Sequence, residues 1–465
     1  MMLKTLVMAT LLLPLALVRP VAAQSPRVLE RNVRAHEEFL ASDALNGRGS
    51  GTRDEWIAAT YIGSQLRQFG IEPAGDLDPQ GHPGYVQTIP IVTEAFTEPP
   101  RLTVGPEAWT HGQGIFVISA SSSELLAPLQ KLGADGHVQK GAAIFLSTPA
   151  QVSRDAVAAV LKQGPSIVMV SEAAVGQKIG PDKPPLPKIL ADANRPTYVF
   201  VGAEAAKKLE AVPDGTPVSL KGAASKLAVP VCTYNAVGVL RGARPEAILL
   251  SSHLDHLGKK EDMPGDNIYN GADDDASRVT AVLELARALG SSYRSDTPSR
   301  PPQGGSRPKR TVYFICFGSE ETGGAGARHF LDSPPLKLDQ LLANLEFEMI
   351  GRPDPAVADK TLWLTGWERS DLGPELAKQG ARLVADPHPQ QNFFMRSDNI
   401  ALARRGVVAQ TVSSYGLHKQ YHQPDDDLQH LDFAHLTASI NSMVKPVLWL
   451  VNSDFKPHWN PHGQP

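Results

Sequence analysis

The sequence predicts an α/β protein, with a mainly parallel or mixed central sheet covered by helices on both faces and a smaller β-rich domain inserted into it. Three observations lead there. Of the 465 residues, 42% are hydrophobic and 20% charged, the balance of an ordinary globular chain rather than a disordered or polytopic one. Beyond about residue 230, short continuous apolar runs alternate with amphipathic stripes, the texture of strands covered on both faces by helices. Between residues 95 and 228 that texture gives way to short β-rich runs divided by proline and glycine.

From the amino end, residues 6–18 form an apolar run preceded by Lys4 and followed by Val21-Ala22-Ala23. This is the pattern of a secretory signal peptide cut after Ala23. About 13 apolar residues at about 1.5 Å each fall short of the roughly 30 Å of a bilayer core, so no stable membrane insertion is expected once the signal is removed. Location outside the cytoplasm, periplasmic or extracellular, follows. Ala58, Ile62, Leu66 and Phe69 place one apolar face on a helix that Gly70 stops. Residues 116–118, 142–146, 166–170 and 197–201 read as strands of the insert.

Past the insert, residues 247–252, 311–318, 345–350, 361–365 and 406–412 read as strands. Val279, Val282, Leu283, Ala286 and Leu289 form a helical stripe closed by Gly290, and the polar stretch 291–310 reads as a surface loop. The division is a signal peptide at 1–23, a discontinuous domain at 24–94 and 229–456, and the insert at 95–228.

Lysine plus arginine (45) against aspartate plus glutamate (49) gives a net charge of −4, which excludes the basic footprint of a nucleic-acid binder. Two cysteines, Cys232 and Cys316, exclude a disulfide scaffold and a cysteine-rich zinc finger. Cys316, in mid-strand, reads as a buried free thiol.

Chemistry collects at the carboxyl ends of the predicted strands, where open α/β sheets bind ligands. One strand runs into His253-Leu254-Asp255-His256 and the next into Glu320-Glu321. A third carries Glu346 and Glu348, Asp273-Asp274-Asp275 precedes the helix, and Tyr421-His422 lies near the end. Singly each has a plain alternative: a hydrogen-bonded His–Asp pair, a solvated Glu–Glu loop, an Asp helix cap. Together they suit divalent ions, which need anionic oxygen close by and imidazole to complete the shell. Carboxylate with imidazole and no thiolate favours Zn²⁺.

These residues carry a resemblance to family M28 of co-catalytic zinc peptidases, which includes bacterial secreted aminopeptidases and glutamate carboxypeptidase. The matching stretches are Leu40-Ala41-Ser42-Asp43 through Gly47-Arg48-Gly49, then Tyr234-Asn235-Ala236-Val237-Gly238 and His253-Leu254-Asp255-His256-Leu257-Gly258. They continue with Asn270-Gly271-Ala272-Asp273-Asp274-Asp275-Ala276-Ser277, Gly318-Ser319-Glu320-Glu321, Glu348-Met349-Ile350-Gly351, Arg396-Ser397-Asp398-Asn399 and Tyr421-His422. The insert is similar to a protease-associated domain.

The resemblance implies a zinc-exopeptidase fold, two Zn²⁺ per chain and peptide or protein substrates. It implies His253, Asp274, Glu321, Glu348 and His422 as metal ligands, with Asp274 bridging. It further implies Glu320 as general base, Asp255 as the carboxylate that orients His253, and a cis Asp274–Asp275 peptide. Tyr421 is a candidate donor to the oxyanion, with ordinary packing as its alternative. His256 and His418 are expected to make local hydrogen bonds.

Two departures stand out. Glu348 occupies a position where many members carry Asp, and Arg278 one where Gly is common. The reaction expected is amide hydrolysis at a chain end, most simply by an aminopeptidase. The alternatives are a carboxypeptidase, for which Arg278 or Arg396 could meet the terminal carboxylate, a glutaminyl cyclase of the same fold with a reduced zinc set, and a catalytically silent binding module.

Overall fold

Apolar residues alternate between the two faces of four adjacent parallel strands, and that alternation sets the layering. The computed structural model describes residues 26–176, 184–192, 194–293 and 307–465. The expected signal peptide and most of the polar loop after Tyr293 lie outside them. Arg244–His253 runs parallel to Arg310–Phe317 on one side and to Leu341–Glu348 on the other, and Val408–Ser413 continues the parallel set. Ala224–Leu240 closes one side antiparallel to Arg310–Phe317. Leu362–Leu364 closes the other, antiparallel to Val408–Ser413. The sheet is mixed, with a parallel centre.

Because successive side chains point to opposite faces of a strand, Ile248, Leu250, Phe314, Leu345 and Phe347 share one core with the helices Glu30–Leu40, Arg53–Gln68, Ser277–Tyr293 and Phe433–Asn452. Ala247, Leu249, Tyr313 and Ile315 face the other way, against Ala325–Asp332 and Asn399–Ala403. Helices therefore cover both faces. Cys316 is a buried free thiol, and burial pushes its pKa up to about 12.

The first predicted helix spans Arg53–Gln68, and the Thr52 side chain caps it by accepting from the Glu55 amide. The helix expected to close at Gly290 instead runs through it to Tyr293. A Cβ on Gly290 would come within 2.2 Å of the Phe69 carbonyl oxygen, so this glycine serves close packing against the end of Arg53–Gln68 rather than a stop.

Residues between 96 and 220 build two further cores, one around Leu102, Val117, Val199 and Leu220 and one around Val138, Ile144 and Val168. Two long antiparallel strands, Val86–Phe96 and Ala224–Leu240, connect these cores to the central sheet. The expected boundaries at 94/95 and 228/229 thus fall inside continuous strands, the second within the irregular register between Lys226 and Val231. Among the described residues no helix is long and apolar enough to cross a membrane.

Phe314 is fully buried between its neighbouring strands and the helical layer. Phe314→Ala is expected to lower unfolding free energy by about 3–5 kcal/mol, measured by urea denaturation.

Candidate metal centre

Parallel strands end on the same side, so the pairing above delivers the chemistry-bearing residues to one rim. His253 is the last residue of Arg244–His253, and Glu348 the last of Leu341–Glu348. Glu320 and Glu321 follow Arg310–Phe317 after a tight turn at Gly318 and Ser319. Gly318 is required there, since a Cβ would meet Thr233 Oγ1 at 2.4 Å and Glu55 Oε1 at 2.5 Å. Asp274 sits in the irregular turn Ala272–Ala276 that opens Ser277–Tyr293, and its peptide bond to Asp275 is cis.

The two carboxylate oxygens of Asp274 face opposite groups. Oδ2 lies 3.2 Å from His422 Nε2, which is also 3.2 Å from Glu321 Oε1. Oδ1 lies 3.5 Å from His253 Nε2. His253, Asp274 and Glu321 also bring one ligand atom each within 4.8 Å of one another. Glu320 Oε2 stands 3.8 Å from His253 Nε2. The structure therefore brings His253, Asp274, Glu320, Glu321, Glu348 and His422 to one cavity, which Tyr421 also lines. Tyr421 stacks on the His422 ring, with centroids 3.9 Å apart.

Asp255 takes a different part from the one expected of its carboxylate. His253 Nδ1 is 3.0 Å from the Asp255 backbone carbonyl, whereas the nearer carboxylate oxygen is 3.7 Å away. The carboxylate instead accepts from the Glu320 amide at 3.0 Å and from Ser50 Oγ at 2.5 Å. Asp255 thus ties the imidazole and the Glu320 loop together. His256 Nδ1 reaches Glu321 at 3.0 Å, and His418 Nε2 reaches Asp273 at 3.0 Å, both local contacts.

Arg278 is fully buried, and its guanidinium lies against Asp274 Oδ1, Asp275 and Glu348 Oε2. The two departures noted in the sequence are therefore one feature: the longer Glu348 meets the arginine. Arg278 is sealed off from the cavity and cannot meet a substrate carboxylate.

The electrostatics follow from burial and neighbours. Burial raises the Glu320 carboxyl well above its ordinary range; His253 opposes this, and Asp398, Glu348 and Glu321 reinforce it. Burial works against charging both Asp274 and Glu321, but Arg278 and the imidazoles overcome it for Asp274, and His256 and His422 hold Glu321 down at about 2. Burial disfavours a charged His422, yet Asp274 and Glu321 raise it to about 10. Burial, with Asp274, Glu348 and Glu321, holds the Tyr421 hydroxyl protonated.

Sequence reasoning passed over Asp426. Its carboxylate accepts from the Asp273 and Asp274 amides at 3.0–3.2 Å and from Arg352 Nη2 at 2.8 Å. The aspartate run after His422 was its one signal, and such runs resemble solvated loops. Arg48 was visible only within a matching stretch. It is buried, and donates to the carbonyls of Leu254, Asn270 and Gly271, holding the His253 and Asp274 loops together. The insert also reaches this rim, where Arg195 Nη1 donates to the Thr322 carbonyl at 3.1 Å.

Residues 235–445 match the profile described as Peptidase family M28. An aminopeptidase from Aneurinibacillus sp. strain AM-1 superposes with a TM-score of 0.53 at 19% identity, covering 94% of this chain and 97% of that one. BSAP, described as a zinc aminopeptidase from Bacillus subtilis, superposes with a TM-score of 0.51 at 18% identity, covering 93% and 98%. Both share the fold. Aminopeptidase YwaD of Bacillus subtilis (strain 168) is 21% identical over 246 residues, 48% of this chain and 46% of its own length. The chain matches less than half the length of the curated relatives, between 24% and 46%.

Since Asp426 fixes the backbone that presents Asp274, Asp426→Ala is expected to weaken zinc binding by about 10- to 100-fold, read by competition with a chromogenic chelator.

Proposed function

Given that the chain carries a metallopeptidase domain of family M28 across residues 235–445, we propose that it is a zinc-dependent exopeptidase that removes residues from the amino end of peptides. The observation that carries this reading is the convergence of Asp274 Oδ2, Glu321 and His422 Nε2, with Glu320 beside them. That donor set, two carboxylates and an imidazole without thiolate, fits zinc. Among the described residues, the ion-pair partners of Glu321 are imidazoles, which give up a proton to bind a metal as a guanidinium cannot. Zinc held by these three would polarise the scissile carbonyl and acidify a water.

Glu320 takes the proton of the attacking water and returns it to the leaving amine. Burial suits it to both, because its raised pKa keeps the protonated form within reach. Asp255 holds the Glu320 amide in place. The protonated Tyr421 hydroxyl donates to the oxygen that gains charge. Trp363, Phe393 and Tyr415 offer apolar walls for a side chain. The signal-peptide pattern in residues 1–23 supports an enzyme that acts outside the cytoplasm.

One observation favours a second reading. Arg396 lines the cavity above the Phe393 ring, at 4.9 Å from its centroid, and has no ion pair among the described residues. A cation so placed suits the terminal carboxylate of a carboxypeptidase substrate.

Mass spectrometry of a peptide library decides between the readings. Loss from the amino end supports the proposal, loss from the carboxyl end supports the Arg396 reading, and ring closure of amino-terminal glutamine would overturn both. Glu320→Ala is expected to keep its zinc and lose about 10³-fold in turnover.

A further inference from the structure

The expected pair of metal positions is not symmetrical. On the Oδ2 side of Asp274, the facing groups are His422, His256 and Glu321. On the Oδ1 side, the donors would be Asp274, Glu348 and His253, whose ligand atom also lies within 4.8 Å of Glu321, and there the guanidinium of Arg278 already lies against both carboxylates. Glu348 Oε2 is further engaged by Ser397 Oγ at 2.7 Å. Asp275, on the remaining edge of the guanidinium, adds a third carboxylate.

We infer that Arg278 takes the place of the second metal ion, so that this chain holds one zinc, on the Asp274–Glu321–His422 side. The physical ground is charge and donor count. A divalent ion on the Oδ1 side would sit beside a fixed cation, and it would have to take two oxygens from that cation. Arg278 cannot step aside: it has no solvent exposure, it is anchored in the first turn of Ser277–Tyr293, and all the carboxylates it would leave are buried or half-buried. The guanidinium hydrogen-bonds to Asp274 and Glu348 and lies against Asp275, and leaving those carboxylates unpaired would be costly.

Arg278 is thus a positioning residue. It fixes the Oδ1 oxygen of Asp274 and the carboxylate of Glu348, and it leaves the Oδ2 oxygen for the ion. Glu348 becomes a partner of Arg278 rather than a ligand. The inference rests on the zinc site proposed above but not on which end of a peptide is cleaved. It also means that a count of one zinc no longer distinguishes a peptidase from a glutaminyl cyclase.

The test is the zinc content of the full-length protein and its variants, measured by inductively coupled plasma mass spectrometry after equilibration with excess zinc and gel filtration. About one zinc per chain is expected in the unaltered protein, with His422→Ala losing it. Arg278→Gly is expected to rise to about two, its folding checked by circular dichroism. Glu348→Gln, which keeps the volume of the side chain, is expected to stay at one.

Two zinc ions in the unaltered protein, or a fall on Glu348→Gln, would overturn the inference. One ion in a folded Arg278→Gly variant would overturn the part assigned to Arg278. No zinc in the unaltered protein would sink the metal site itself, a failure distinct from the others. Should Arg278→Gly not fold, the Glu348→Gln count and zinc-edge anomalous scattering from crystals of the unaltered protein decide. A single peak beside His422 and Glu321 upholds the inference, and a second beside His253 and Glu348 overturns it.

Discussion

Carboxylates crowded into a place with little water are the constraint on which this structure turns. Asp255, Asp274, Asp275, Glu346 and Asp398 are buried at the rim where the parallel strands end, and Glu320, Glu321 and Glu348 are only partly open beside them. Like charges this close cannot all ionise unless cations compensate them. The protein responds in two ways. Some carboxyls are pushed toward the neutral form: burial, with Asp398 and Glu348, raises Glu346 to about 8, and burial foremost raises Asp398 to about 7. The others are matched to Arg278, to imidazoles and, in the proposed enzyme, to zinc.

The fold exists to hold that concentration together. Four parallel strands with apolar faces on both sides need helices above and below, and these make the strand ends rigid. Arg48, from the amino-terminal segment, ties the carbonyls beneath His253 and Asp274 to one another. Asp426, from the carboxyl-terminal part, does the same for the amides of the aspartate turn. Segments distant in sequence therefore converge on a few backbone atoms. The inserted residues touch the loop bearing Glu320 through Arg195, which gives the insert a direct path to the proposed base.

Much of this could be read from the sequence, and the limits have physical causes. Strands such as residues 311–318 and 197–201 were visible because continuous apolar β-branched runs bounded by turn residues admit few other readings. Side chains at strand ends were visible because that is where a parallel sheet exposes them. Gly290 was misread as a helix stop because the Phe69 carbonyl that it accommodates is a tertiary neighbour, absent from local pattern. Asp255 was expected to act through its carboxylate, yet its carbonyl makes the hydrogen bond to His253, a distinction that spacing alone cannot draw. Arg278 stood out as an oddity, but only the fold brings it to Glu348, 70 residues away. Asp426 was hidden among aspartates that look solvated in sequence.

If buried carboxylates at the rim require a divalent cation for their balance, then the folded protein must be stabilised by zinc relative to its metal-free form. Differential scanning calorimetry of the full-length protein, stripped with a chelator and then titrated with zinc, measures this directly. The account predicts a melting temperature that climbs with zinc, with about 2.7 kcal/mol gained at a free concentration one hundred times the dissociation constant. Superimposable melting curves with and without zinc would contradict it.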